Sequence, residues 1–141
     1  MKKKIFIDSD IILDLLLERK PFFSPSAELF NLIEDKKIHA SVSALHFSNL
    51  FYIIRKVKGK ESAKTVLRKL KILVKVLSVD EKVIELALES DFSDFEDAIQ
   101  YYACLDNKID VIITRNKGDF RNSKLPVMTA EEFIAVLKLK D

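Results

Sequence analysis

The sequence predicts a three-layer α/β/α sandwich, a single domain over residues 1–141 around a central, mostly parallel sheet of four or five strands. Short β-forming runs alternate with helical stretches, one or two helices separate each run from the next, and helical content dominates. The 141 residues are 48% hydrophobic and 33% charged, enough apolar material for a core in one domain. Two glycines and three prolines exclude collagen-like and Pro/Gly-rich classes, and the single cysteine, Cys104, excludes an intrachain disulfide framework.

The elements follow from local chemistry. Lys4-Ile5-Phe6-Ile7-Asp8 reads as a buried strand that delivers a carboxylate at its carboxyl end. Ser9-Asp10 is expected to cap a helix carrying Ile11 and Leu15, closed by Arg19-Lys20-Pro21. A second helix is predicted from Pro25 or Ser26 to Asp35, with Ser24 as cap and Pro25 at the first helical position. Ile38–Ser41 is a second strand, and Ser41 or Ser43 caps a long apolar helix to Lys56. Gly59 breaks the chain before a helix over 60–73 striped with Ala63, Val66, Leu67, Leu70 and Leu73. Val74–Val79 is a third strand, and Asp80 caps a helix with Val83, Ile84, Ala87 and Leu88 inward. Another helix spans Asp94–Asp106 on an inward stripe of Phe95, Ala98, Ile99 and Tyr102. Asp110–Thr114 is continuous and β-branched, as suits a strand covered on both faces. A turn at 116–119, a short strand at 126–128, and a Thr129/Glu132 capping box for the last helix complete the chain.

No apolar stretch approaches the roughly 20 residues that cross a bilayer. Asp8 and Asp10 interrupt the run after Lys2-Lys3-Lys4, so a signal peptide is not expected and a cytoplasmic setting is. The net charge of +2 is unevenly distributed: nine basic residues and one acid lie between Arg55 and Lys75, and eight acids and one lysine between Asp80 and Asp97. The basic stretch suits either a phosphate track or the wet faces of helices.

Asp8, Asp94, Asp97 and Asp119 fall where an open α/β sheet places its site. If the first strand and the 110–114 strand are neighbours where strand order reverses, their carboxyl ends open into one crevice. Clustered carboxylates repel, so they need protons or a hard divalent cation, and Mg²⁺ or Mn²⁺ takes such oxygen ligands together with phosphates. His39 and His46 make no zinc pattern, and His46 reads as a packing residue. Capping by Asp8-Ser9-Asp10 or Asp94, and turn formation by Asp119, are equally compatible with these positions. Ser9 and Thr114 each follow a strand and can hydrogen-bond a carboxylate, a bound water or a phosphate.

Three segments carry a resemblance: Phe6-Ile7-Asp8-Ser9-Asp10-Ile11-Ile12-Leu13-Asp14, Phe92-Ser93-Asp94-Phe95-Glu96-Asp97-Ala98-Ile99-Gln100, and Ile113-Thr114-Arg115-Asn116-Lys117-Gly118-Asp119-Phe120. In this order and spacing the chain resembles, over essentially its whole length, a PIN domain, the small ribonuclease fold of VapC-type toxins. The resemblance implies a metal-dependent endoribonuclease, often a homodimer, whose acids converge on Mg²⁺ or Mn²⁺ and whose cleft a cognate antitoxin plugs. It assigns Asp8, Asp97 and Asp119 to the metal, with Asp94 as an additional carboxylate. Asn49 stands where the usual pattern has glutamate and Asn116 where many relatives have aspartate, so both positions lose negative charge. Asn49 then becomes a weak ligand or a water-orienting group, Ser9, Thr114 and Asn116 tune the water network, and Arg115, Arg55, Lys56 and Lys58 hold RNA phosphates. Two competing readings are a catalytically weak binding or regulatory module, which the asparagines favour, and a haloacid-dehalogenase-type phosphatase, suggested by Asp8-Ser9-Asp10.

Overall fold

The structure, a computed structural model, describes residues 2–139. In chain order the elements are β1 (Lys4–Ile7), α1 (Ser9–Leu16), α2 (Phe23–Glu34), β2 (His39–Ser43), α3 (Ala44–Lys58), α4 (Lys60–Leu73), β3 (Lys75–Leu77), α5 (Glu81–Leu88), α6 (Phe95–Asp106), β4 (Val111–Ile113), a 3-10 turn (Lys117–Phe120), β5 (Val127–Met128) and α7 (Ala130–Leu139). The strands form one five-stranded parallel sheet in the order β3-β2-β1-β4-β5. Among the described residues no helix is long and apolar enough to cross a membrane.

Alternation along the strands builds the two cores. Ile5, Ile7, Val42, Val111 and Ile113 face one side, where they pack with Ile11 and Ile12 of α1, Leu29 and Ile33 of α2, Leu50 and Ile54 of α3, Leu67 and Leu70 of α4, and Phe133 of α7. Phe6, Leu77 and Ile112 face the other, against Tyr101 and Cys104 of α6. The step from β3 back to β4 reverses the direction in which strands are added, and with right-handed crossovers that puts α5 and α6 on the second face. Full burial of Ile5, Phe6 and Ile7 stabilises the fold by about 1.5–3 kcal/mol per side chain.

Several sequence expectations need correction. Asp8, not Ser9 or Asp10, is the N-cap of α1. The second helix starts at Phe23 after Phe22, with no side-chain cap from Ser24, and Pro25 is tolerated because first-turn amides lack intrahelical partners. β2 runs one residue later and further than predicted, and β3 covers only Lys75–Leu77. Phe95 and Leu88, expected inside, are 46% and 66% exposed, because each occupies the end of its helix outside the buried stripe. Ser43 accepts the His46 N–H at 3.1 Å and is the cap of α3. Gly59 (φ 87°) ends α3 and opens α4 in a conformation that favours glycine. The Thr129/Glu132 capping box is reciprocal, at 2.9 and 3.1 Å.

Candidate active site

β1 and β4 are neighbours at the point where strand order reverses, and their register pairs Ile7 with Ile113. The next residues, Asp8 and Thr114, therefore stand side by side at the carboxyl edge of the sheet. The Asp8 N–H extends the ladder to the Ile113 carbonyl at 2.9 Å, which fixes the backbone from which the carboxylate projects. Asp8 is 9% exposed; its Oδ2 accepts the Thr114 hydroxyl at 2.8 Å and its Oδ1 the Ser9 N–H at 2.9 Å. Burial pushes its carboxyl above the ordinary value, the two hydrogen bonds oppose this, and the charges of Asp119 and Glu96 add to the rise.

The second carboxylate group comes from α6. Asp94 caps the helix, accepting the Asp97 N–H at 3.0 Å, and Glu96 and Asp97 occupy the first turn, where the helix dipole favours anions. Asp97 is pushed up to about 7, first by burial and then by the charges of Asp94, Asp119, Asp8 and Glu96. Asp119, exposed on the 3-10 turn, acts on Asp8 and Asp97 alike. The acids at 8, 94, 97 and 119 thus share one electrostatic neighbourhood although they come from three separate stretches of chain.

α3 closes one side. His46 is 3% exposed, packs on Phe6 with ring centroids 5.8 Å apart, and brings Nε2 to 3.6 Å from Asp8 Oδ1 and 3.7 Å from Glu96 Oε1. Burial lowers its pKa to about 4 despite the Glu96 charge, so at neutral pH these are contacts of an uncharged imidazole and not ion pairs. Asn49, a turn further on, donates from Nδ2 to Glu96 Oε1 at 3.1 Å. On the other side, Asn116 gives its N–H to Thr114 Oγ1 at 3.0 Å and Nδ2 to Asp10 Oδ2 at 3.1 Å. Asp10 is raised to about 6 by burial and then by the Asp8 charge, against the Arg115 N–H and guanidinium.

Asp10 and Glu96 are the site residues that sequence reasoning missed. Asp10 read as a cap or as half of a phosphatase acid pair, not as a member of the carboxylate crevice, and Glu96 lay between two more conspicuous aspartates. Their partners lie 106 and 47 positions away, and no local pattern announces either pairing.

Among the basic residues, Arg115 departs from its expected role as a phosphate ligand. Arg115 is committed to Asp14, with Nε and a terminal nitrogen on the two carboxylate oxygens at 2.7 and 3.0 Å, and its guanidinium lies 4.0 Å from the Phe22 ring centroid. It is a clamp between α1 and the loop after β4, not a free phosphate ligand. Arg55, Lys56 and Lys58 are exposed in the last turn of α3, roughly 9–14 Å along the helix from Asn49 at 1.5 Å per residue. A cavity of about 260 Å³ lined by Phe22, Arg115 and Asn116 opens beside the clamp and shares only Asn116 with the acid cluster.

Among the described residues no three His, Cys, Asp or Glu side chains form a ready-made ligand cage. The donors suit a hard cation nonetheless: they are all oxygens, their charges add to the rise that burial causes at Asp8 and Asp97, and Asp10 Oδ1 is buried without a hydrogen-bond partner. The neutral His46 alone does not make a zinc site.

Comparison with known proteins agrees with the fold. The chain is 28% identical over 136 residues to Ribonuclease VapC1 of Aquifex aeolicus (strain VF5), covering 93% of each chain. Its fold is similar to the crystal structure of DNA-bound VapBC from Salmonella typhimurium (TM-score 0.68, 16% identity, 92% of this chain and 99% of that one). It is equally similar to VapBC-1 from nontypeable Haemophilus influenzae (TM-score 0.67, 16% identity, 91% and 98%). The sequence profile of the PIN domain matches residues 4–118, from the strand that delivers Asp8 through the helix that carries Asp97 to the turn just before Asp119, and the chain belongs to the PIN domain family.

Proposed function

We propose that the protein is a divalent-metal-dependent endoribonuclease that hydrolyses RNA phosphodiesters, working as the toxin of a toxin–antitoxin pair in the cytoplasm. The observation that carries this reading is the convergence of acids from separate parts of the fold on one crevice, where burial first and the neighbouring charges next raise Asp8 and Asp97, and which a hard cation would neutralise. Asp8, Asp97 and Asp119 would hold Mg²⁺ or Mn²⁺, with Asp94 as a further ligand or as acceptor for a bound water. A cation so held supplies an activated water at neutral pH and stabilises the leaving oxygen.

The chain's own residues prepare that chemistry. Thr114 and the Ser9 N–H keep both Asp8 oxygens in place, so the carboxylate needs little reorganisation on binding. His46 fills the space beneath Asp8 as a neutral ring and keeps bulk water from that side. Asn49 and Asn116 position neighbouring carboxylates through their amides. Arg55, Lys56 and Lys58 would engage RNA phosphates at a distance, which positions the strand without reading its bases. Arg115 acts through Asp14 and holds the loop that bears Asn116.

The antitoxin belongs to this reading because several fold neighbours are toxin–antitoxin assemblies, among them a toxin–antitoxin complex from Klebsiella pneumoniae. A homodimer is part of it because α3 leaves Tyr52 and Val57 59% and 64% exposed on a long helix. The phosphatase reading is set aside by the family match over residues 4–118. The weak binding module is the reading that Asn49 and Asn116 favour, and cleavage decides between the two. Wild-type protein is expected to cut a mixed labelled RNA pool with Mn²⁺, and Asp97→Asn to lose at least about a hundredfold, the scale of removing one preorganised electrostatic group. A wild-type protein that binds RNA or an antitoxin but never cuts would establish the module.

A further inference from the structure

The two asparagines that stand where the family pattern has acids behave alike. Asn49 Nδ2 donates to Glu96 Oε1 at 3.1 Å, and Asn116 Nδ2 donates to Asp10 Oδ2, also at 3.1 Å. Neither acceptor belongs to the acids carried over from the resemblance, and each shares a contact atom with Asp8. His46 Nε2 lies 3.6 Å from Asp8 and 3.7 Å from Glu96, and Thr114 Oγ1 lies 2.8 Å from Asp8 and 3.5 Å from Asp10. The hydroxyl has one proton and gives it to Asp8 at the shorter distance, while Asp10 Oδ1 remains buried with no partner.

We infer that Glu96 and Asp10 supply, one hydrogen bond away, the two negative charges that positions 49 and 116 lack, so that the crevice retains a full anionic field for a hard divalent cation. This rests on the metallonuclease reading above. An asparagine amide cannot ligate through its nitrogen, but that nitrogen can fix the direction of a carboxylate and leave the amide oxygen free as a neutral donor. Glu96 reaches the crevice from the first turn of α6 and Asp10 from the first turn of α1, so each charge sits on a rigid helix start where the dipole supports it. The charge has moved from one element to its hydrogen-bonded neighbour, and Glu96 and Asp10 are further metal-facing residues.

Exchanging the partners tests this. Mn²⁺ is titrated calorimetrically into the wild type, E96Q, N49E/E96Q, D10N, D10N/N116D and D97N, with melting curves on each. E96Q and D10N are expected to weaken Mn²⁺ binding about tenfold or more, the effect typical of losing an outer partner of a metal site, and each double variant to regain most of it. Single variants that bind Mn²⁺ like the wild type, or doubles no better than the singles, overturn the inference while a loss of binding in D97N leaves the metallonuclease reading standing. A wild type that does not take up Mn²⁺ overturns both. Should E96Q fail to fold, N49A takes its place, because it keeps the Glu96 charge and removes its tether; a partial loss of affinity supports the inference and unchanged affinity overturns it.

Discussion

Asp97 illustrates how a side chain's surroundings become a measurable property. Its folded pKa of about 7 lies far above the ordinary value of 3.8, so the folded protein binds a proton that the unfolded chain has released. The stabilisation from that proton is complete below pH 3.8 and is lost as pH rises through about 7. Asp10, raised to about 6, acts in the same sense. His46 works oppositely, since its folded pKa of about 4 makes stability fall as pH drops below 6.5. Thermal melts of metal-free protein should therefore show stability rising from pH 8 to pH 6.5, where the carboxylates dominate, and D97N should flatten this slope; a slope unchanged in D97N would refute the assignment. The acids at 8, 97 and 119 were legible as neighbours because a strand end, a helix start and a turn each place one side chain predictably. Glu96 and Asp10 were not, because their roles depend on amides that only the folded chain brings near.

Among the elements, the tie between α1 and the loop after β4 has a role that its sequence did not show. Arg115 adjoins Thr114 and read as a phosphate ligand, yet it neutralises Asp14, which is fully buried one helical turn beyond Asp10. Removing the guanidinium would leave a buried carboxylate without its partner, so Arg115→Ala should cost about 3 kcal/mol in denaturant unfolding, the low end for a broken buried pair because Arg115 is partly exposed. Asp14→Leu in the Arg115→Ala background should recover most of that loss; a double variant as unstable as the single would show that Arg115 stabilises by packing on Phe22 instead. The helices with a clear polar start, at Ser43, Asp80 and Asp94, were readable from sequence. α2 was misplaced because Phe22 caps nothing, and Phe95 and Leu88 misled because an apolar residue at helical spacing can still fall at an end that no neighbour covers.

For the whole molecule, the order β3-β2-β1-β4-β5 sets Asp8 and Thr114 side by side and brings α6 and α3 to the same edge. The three-layer architecture was legible from alternating strands and helices, whereas the adjacency of the first and fourth strands stood in the sequence only as a condition, which the observed strand order meets. Partner and substrate choice were not legible, because they depend on exposed surfaces where sequence pattern carries little constraint. If the crevice binds a cation in the folded state alone, Mn²⁺ at a hundred times its Kd should stabilise the protein by about 2.7 kcal/mol. Whether the crevice is a catalytic metal site is decided by calorimetric titration of Mn²⁺ into wild type and Asp8→Asn, followed on the same samples by cleavage of labelled RNA. The wild type should bind Mn²⁺ and cut, and folded Asp8→Asn should do neither; a folded Asp8→Asn protein that cuts at the wild-type rate, or a wild type that neither binds nor cuts, would show that Asp8 anchors no catalytic metal.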